Sequence, residues 1–129
     1  MIDRKEIMQL NIGRETDILV AEQVMGWQIE TDEVKLKQLN HYLSRKAVGC
    51  WWRTPEGDWH CDPLAYSSEI AASWKVVEKM KSKGRFLFLF QGPAGNKVAF
   101  AESLTSNPDY ITERTLTWAI CKAALVVSI

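Results

Sequence analysis

The sequence predicts an α+β domain: an α-β-α sandwich in which a mainly antiparallel sheet of about four strands lies between helices on both faces. Three observations predict it. Apolar residues recur at helical spacing in several separate segments. Two pairs of short apolar runs each flank a turn-forming stretch. The run Phe86-Leu87-Phe88-Leu89-Phe90 is apolar on both sides of a strand, which predicts a layer above it and another below.

The stretch from Tyr66 to Glu102 is the expected organiser of the chain. Ser67 is placed to cap a helix, with Glu69 at its positive end. Ile70, Trp74, Val77 and Met80 share one face, and Lys79, Lys81 and Lys83 suit the negative end before Gly84 stops the helix. The period then changes to that of a strand at Phe86–Phe90. Gln91 to Asn96 is turn material, and Lys97 to Glu102 returns as the second arm of a hairpin.

The rest of the chain is read around this stretch. Residues 1–12 are a short helix or a loose arm, in which Asp3 and Glu6 form a capping pair and Ile7 and Leu10 can dock. Arg14 to Met25 reads as a helix with a stripe of Ile18, Ala21 and Met25, widened by Leu19 and Val24, stopped at Gly26 and anchored by Trp27. A narrow stripe of Leu36, Leu39 and Leu43 predicts a surface helix from Thr31, ended by Ser44 to Gly49. Cys50 to Arg53 and Trp59 to Cys61 flank Thr54-Pro55-Glu56-Gly57-Asp58 and read as a second hairpin. Ser103 to Tyr110 is a loop. Thr112 is placed to cap a last helix with a wide stripe of Leu116, Ala119, Ile120, Ala123 and Val127, whose alanines permit close approach to the sheet.

Composition narrows the functions. A chain of 129 residues, 47% hydrophobic and 25% charged, is that of one globular domain with a core of its own, spanning residues 1–129. Sixteen basic residues balance 16 acidic ones, which argues against a broad nucleic-acid surface. The three cysteines lack the spacing of a disulfide scaffold and suit a reducing cytoplasm. No signal peptide is read at the charged N-terminus, and no apolar run reaches the roughly 18 residues of a membrane span. Six tryptophans are the compositional excess, and rings of that size belong in a core or an interface.

Candidate chemistry is sparse. Cys50, His60, Cys61 and His41 are metal-ligand types, but the close cysteine pairs of zinc sites are missing, and adjacent His60 and Cys61 point to opposite faces of a strand. No motif surrounds them that would lower a thiol pKa or orient a base, so neither a metal, a cofactor nor a catalytic residue is expected. Gln91 to Lys97 has two glycines and a lysine but not the spacing of a phosphate loop. Glu15, Asp17, Glu22 and the acidic run around Glu30 read as a solvated face. One cluster stands out: Trp51, Trp52, Arg53, Trp59 and His60 crowd the second hairpin, where rings beside a guanidinium suit a protein partner or a nucleotide-like ligand.

Gly13 to Trp27, the block from Pro63 to Gly84 with Tyr66-Ser67-Ser68-Glu69-Ile70-Ala71-Ala72-Ser73-Trp74, and the ending Ala119-Ile120-Cys121-Lys122-Ala123-Ala124-Leu125 resemble the phage ABA sandwich domain family, in that order along the chain. Ile29 to Val48 is longer here than the family pattern. The resemblance implies a small α-β-α sandwich carried by bacteriophages and prophages, mostly of Gram-positive hosts. It implies no assigned chemistry and carries over no catalytic residue. The expected function is therefore that of a phage accessory protein in the host cytoplasm that binds rather than catalyses, as a homo-oligomer or with a host or phage protein. The alternatives are a sponge for a nucleotide-derived host defence signal, and a small enzyme, which would need a deep polar pocket at His60 or His41.

Overall fold

A computed structural model describes residues 2–42, 51–61, 63–105 and 107–129, the side chains of residues 40–42 apart. The helices are α1 (Arg4–Met8), α2 (Arg14–Gln23), α3 (Glu33–Tyr42), α4 (Ile70–Ser82) and α5 (Leu116–Ser128). The strands are β1 (Gln28–Ile29), β2 (Trp52–Arg53), β3 (Trp59–His60), β4 (Phe86–Gly92), β5 (Gly95–Ala101) and β6 (Ile111–Glu113). Leu43 and the stop expected at Ser44 to Gly49 lie outside the described residues.

The hub is α5, not the expected stretch from Tyr66 to Glu102. Its residues Ala119 to Leu125 are all buried, and it touches β5, β6, α4, α2 and α1. A helix apolar nearly all round cannot sit on a surface. Ala119, Ala123 and Ala124 let the sheet on one side and helices on the others come close, as their size predicts. Thr112 does not cap this helix. It lies in β6 opposite Lys97, and Thr115 precedes the first turn. Pairing with β5 satisfies the backbone around Ile111 while burying that side chain, which an earlier helix start would forgo.

The arm at residues 1–12 is docked rather than loose. Asp3 accepts the Glu6 N–H at 2.8 Å and caps α1, and Ile7 and Leu10 are buried. Arg4 grips Asp109 through two bonds of 2.7 Å, and this hydrogen bonding holds the Asp109 carboxyl below the usual carboxylate range. The Trp118 indole N–H donates to Leu10 O at 3.1 Å.

Helices α2 and α4 are both rotated from the expected stripes. In α2, Ala21 is buried as expected, as is Val24 just past its end, but the buried face turns toward Thr16, Asp17 and Val20, leaving Ile18, Leu19 and Met25 half-buried. In α4, Val77 and Met80 are buried as expected, but Ile70 is 54% and Trp74 45% exposed, and Ala72, Ser73 and Val76 face inward instead. Ser73 is tolerated there because its hydroxyl donates to Ile70 O at 3.1 Å within its own helix. Ser67 does not cap α4. The helix begins at Ile70 after Glu69, and Ser67 is drawn to Asp17 instead: its N–H at 2.8 Å and its hydroxyl at 2.7 Å both donate to Asp17 Oδ1. Gly84 does end the helix. It sits at φ 80°, its N–H reaches Lys81 O at 3.0 Å, and the Arg85 N–H reaches Met80 O at 3.0 Å, the paired bonds of a Schellman stop.

The strands form two three-stranded antiparallel sheets, β1-β2-β3 and β4-β5-β6, in place of the one sheet of about four strands that the apolar runs predict. Both expected hairpins are present: Trp52 pairs with His60 and Arg53 with Trp59 in one, and Phe86–Gly92 with Gly95–Ala101 in the other. Strands β1 and β6 were too short and too polar to be read from the sequence. Gly95 closes the longer hairpin at φ 120°, where a Cβ would come within 2.7 Å of Glu113 O.

The expected cover on both faces of β4 is not there among the described residues. Leu87, Leu89, Val98, Phe100 and Ile111 share the face toward α4 and α5, by the register and their packing. Phe86, Phe88 and Phe90 share the other face, where Phe86 is 43% and Phe90 55% exposed. Both sides of the strand are apolar; among the described residues the helices pack on the Leu87 side, while on the other side Ala99 and Ala101 of β5 are buried and Phe86 and Phe90 of β4 are not.

Candidate binding surface

The small sheet carries the residue cluster singled out from the sequence and divides it in two. Cross-strand partners point to the same face of a sheet. Arg53 lies opposite Trp59, and Trp52 opposite His60, so these two pairs face opposite ways. Trp52 is 2% exposed and belongs to the core, while His60 stacks on Trp27 with ring centroids 4.9 Å apart. Trp27 in turn meets the edge of Tyr66 at 6.3 Å. Trp51 is 1% exposed. Three of the five residues thus serve packing, and the surface that remains is Arg53 beside a half-buried Trp59, with Lys35 Nζ 6.0 Å from the Trp59 ring.

Among the described residues the candidates for covalent or metal chemistry do not converge. Cys50 and the His41 side chain lie outside the described residues, and among the described residues no group of three or more His, Cys, Asp or Glu could hold a metal ion. Cys121 is buried in α5, and that burial pushes its thiol pKa well up, which keeps it neutral and poorly nucleophilic. Burial likewise pushes the Tyr66 phenol upward, and its hydroxyl has no hydrogen-bond partner among the described residues. The glycine-containing stretch Gln91 to Asn96 is the closed end of the β4–β5 hairpin, with only Pro93 and Ala94 between the strands, so strand rather than helix follows it.

The larger sheet presents a surface of another kind. Along β4, seven residues from Phe86 to Gly92 pair regularly with β5 and carry no charge. Its outer face bears Phe86, Phe88 and Phe90, and Phe90 meets the edge of Tyr110 at 5.9 Å. Lys97 Nζ lies 4.9 Å from the Tyr110 ring, and Arg85 pairs with Glu102 at 3.3 Å. On the helical side Leu89 is 39% exposed. An apolar cleft of about 350 Å³ lies there between α4 and β4, with Val77, Lys81, Phe86 and Leu87 in its wall. Trp74 and Ile70 continue the Val77 stripe of α4 outward. The sequence signal for this surface was the charge-free run itself, but alternation cannot tell a strand covered on both faces from an edge strand.

A model of the phage ABA sandwich domain family matches residues 18–125. The chain belongs to this family. Among solved structures, a phage protein from Bacillus cereus ATCC 14579 superposes with a TM-score of 0.61 at 18% identity, covering 92% of this chain and 93% of that one. At that identity the likeness is one of fold. No curated protein matches the chain. The phage ABA sandwich family is one of unassigned function, so what this member does must be argued from its own surface. Among its described residues no helix is long and apolar enough to cross a membrane.

Proposed function

We propose that this phage ABA sandwich protein is an accessory protein of the infected bacterial cytoplasm that acts by binding another protein surface rather than by catalysis. The observation that supports the reading is the exposure of Phe86, Leu89 and Phe90 on one regular, charge-free strand. Contiguous apolar surface of this kind is costly in water and marks interaction sites on soluble proteins. Aromatic rings in such a patch supply the anchors of interfaces. The site expected from the sequence, at Trp51, Trp52, Arg53, Trp59 and His60, offers less area because both Trp51 and Trp52 are buried.

The test is cross-linking of the tagged protein in its phage host, wild type against a Phe86→Ser and Phe90→Ser double variant. Both rings are about half exposed and lie outside the core, so the variant is expected to fold. The wild type should be held in complexes that the variant loses at least about tenfold. Identical complexes for the two proteins would overturn the reading.

A second reading rests on the cross-strand pair Arg53 and Trp59 with Lys35 beside it: these suit the stacking and charge pairing of a nucleotide-like signal. A thermal-shift series with cyclic nucleotides and ADP-ribose derivatives tests it. A ligand at 100 times its dissociation constant stabilises by about 2.7 kcal/mol, and the shift should vanish in Arg53→Ala. No shift with any of these compounds would remove the sponge from consideration.

A further inference from the structure

We propose that the occupant of the apolar surface is a second copy of this chain, docked edge to edge so that the two β4 strands pair antiparallel about a two-fold axis through Phe88. The proposal rests on the binding reading above and gives its partner and geometry. Among the described residues strand β4 is an outer strand of its sheet, so half of its backbone N–H and C=O groups point away from β5. Natural edges of this length carry a charge, a proline, a bulge or a very short strand to prevent pairing. From Phe86 to Gly92 this edge has none of these: its seven residues match β5 one for one. The opposite edge, β6, is protected by its length of three residues.

Symmetry then sets the register. Residues directly opposite each other across antiparallel strands face the same side. A closed two-fold pair therefore needs a residue opposite its own copy. Placing Phe88 on the axis gives the greatest overlap of the apolar run, with Phe86 opposite Phe90 and Leu87 opposite Leu89 of the other copy. Arg85 then meets the neutral Gln91, so no like charges are forced together. The two three-stranded sheets become one of six strands, with both helical layers on the same side. Helix α4 packs on β4, so the two α4 helices flank the seam and bring Trp74 and Ile70 toward it.

This arrangement accounts for the exposed apolar side chains on both sides of β4. A stack of the outer faces would cover Phe86 and Phe90 but leave Leu89, Trp74 and Ile70 in water. Five large apolar side chains at about half exposure, each about 200 Å² when free, offer about 500 Å² per copy. A pair would bury up to about 1,000 Å², the lower bound for a specific interface, to which the new strand hydrogen bonds add.

Sedimentation equilibrium of the purified full chain should give twice 14.7 kDa. Leu89→Lys, which puts a charge into the seam from an already exposed position, should weaken the dimer at least about 100-fold while leaving the circular dichroism unchanged. Phe88→Cys should oxidise to a covalent dimer above the wild-type background. Phe86→Cys and Phe90→Cys should cross-link when mixed and not when alone. A monomer at micromolar concentration overturns the proposal, as does a dimer in which Phe88→Cys fails to cross-link. If such a monomer still loses host complexes through Phe86→Ser and Phe90→Ser, the binding reading stands and only the second copy is ruled out.

Discussion

Lys122→Ala is expected to destabilise the protein by about 3–5 kcal/mol, a large part of the total stability of a small domain. Lys122 is 1% exposed, in the middle of α5. Its ammonium donates to Glu113 Oε1 and to Met8 O, each at 2.8 Å, and lies 4.4 Å from the Trp118 ring centroid. The cation thus joins α5, β6 and the end of α1. Removing it leaves the Glu113 carboxylate, only 16% exposed, without its counter-charge, and leaves the Met8 carbonyl without this donor. It also opens a cavity where the four-carbon stem was packed. Lys122→Met fills the cavity but not the charge gap, and adding Glu113→Gln to it should recover part of the loss. Urea unfolding of the three variants checks this. A loss under about 1 kcal/mol for Lys122→Ala would mean the pair is no more than a surface ion pair.

Asp17→Ala should cost about 2–4 kcal/mol, because it removes the acceptor for two buried donors at once. Ser67 is wholly buried, and both its N–H and its hydroxyl donate to Asp17 Oδ1. The same residue is held from two other sides. Its hydroxyl oxygen accepts the Gly13 N–H at 3.0 Å, and its carbonyl accepts the Thr117 hydroxyl at 2.8 Å. Asp17 therefore anchors a knot between the start of α2, the turn before α4 and the first turn of α5. Asp17→Asn keeps an oxygen acceptor and should lose well under half as much. A cycle with Ser67→Ala should show coupling of about 1–3 kcal/mol, since each residue is the other's partner. Additive losses would show that Asp17 acts through something other than Ser67.

Both residues show where sequence reasoning reached and where it stopped. Asp17 reads as one acid on a solvated face and Ser67 as a helix cap, each the ordinary role of its residue type. What changes their roles is a separation of 50 positions closed by folding. No local pattern announces that contact. Lys122, set among alanines and a cysteine, does break an apolar run, but its partner lies on a strand that the sequence reads as part of a helix.

The site shows the same division. The second hairpin was legible because Thr54 to Asp58 forms a turn between aromatic runs; its register, Trp52 opposite His60, came from the structure. Which tryptophans face water was not, since Trp51 and Trp52 look alike in sequence and both are buried, while Trp74 on a clear helical stripe is 45% exposed. A stripe gives the width of the apolar face, not the angle at which the helix settles on its neighbours.

By itself, the sequence determined the α+β class, the two hairpins and the helix stop at Gly84, because these depend on spacing, turn chemistry and backbone freedom within short segments; the family was legible only as a resemblance of whole blocks of sequence. Only the tertiary structure decided that α5 is the hub, that the described strands form two sheets, and that Phe86 and Phe90 are about half exposed. Those depend on which strand lies at an edge and what packs over it, and the same apolar run suits either place until the chain has chosen its neighbours.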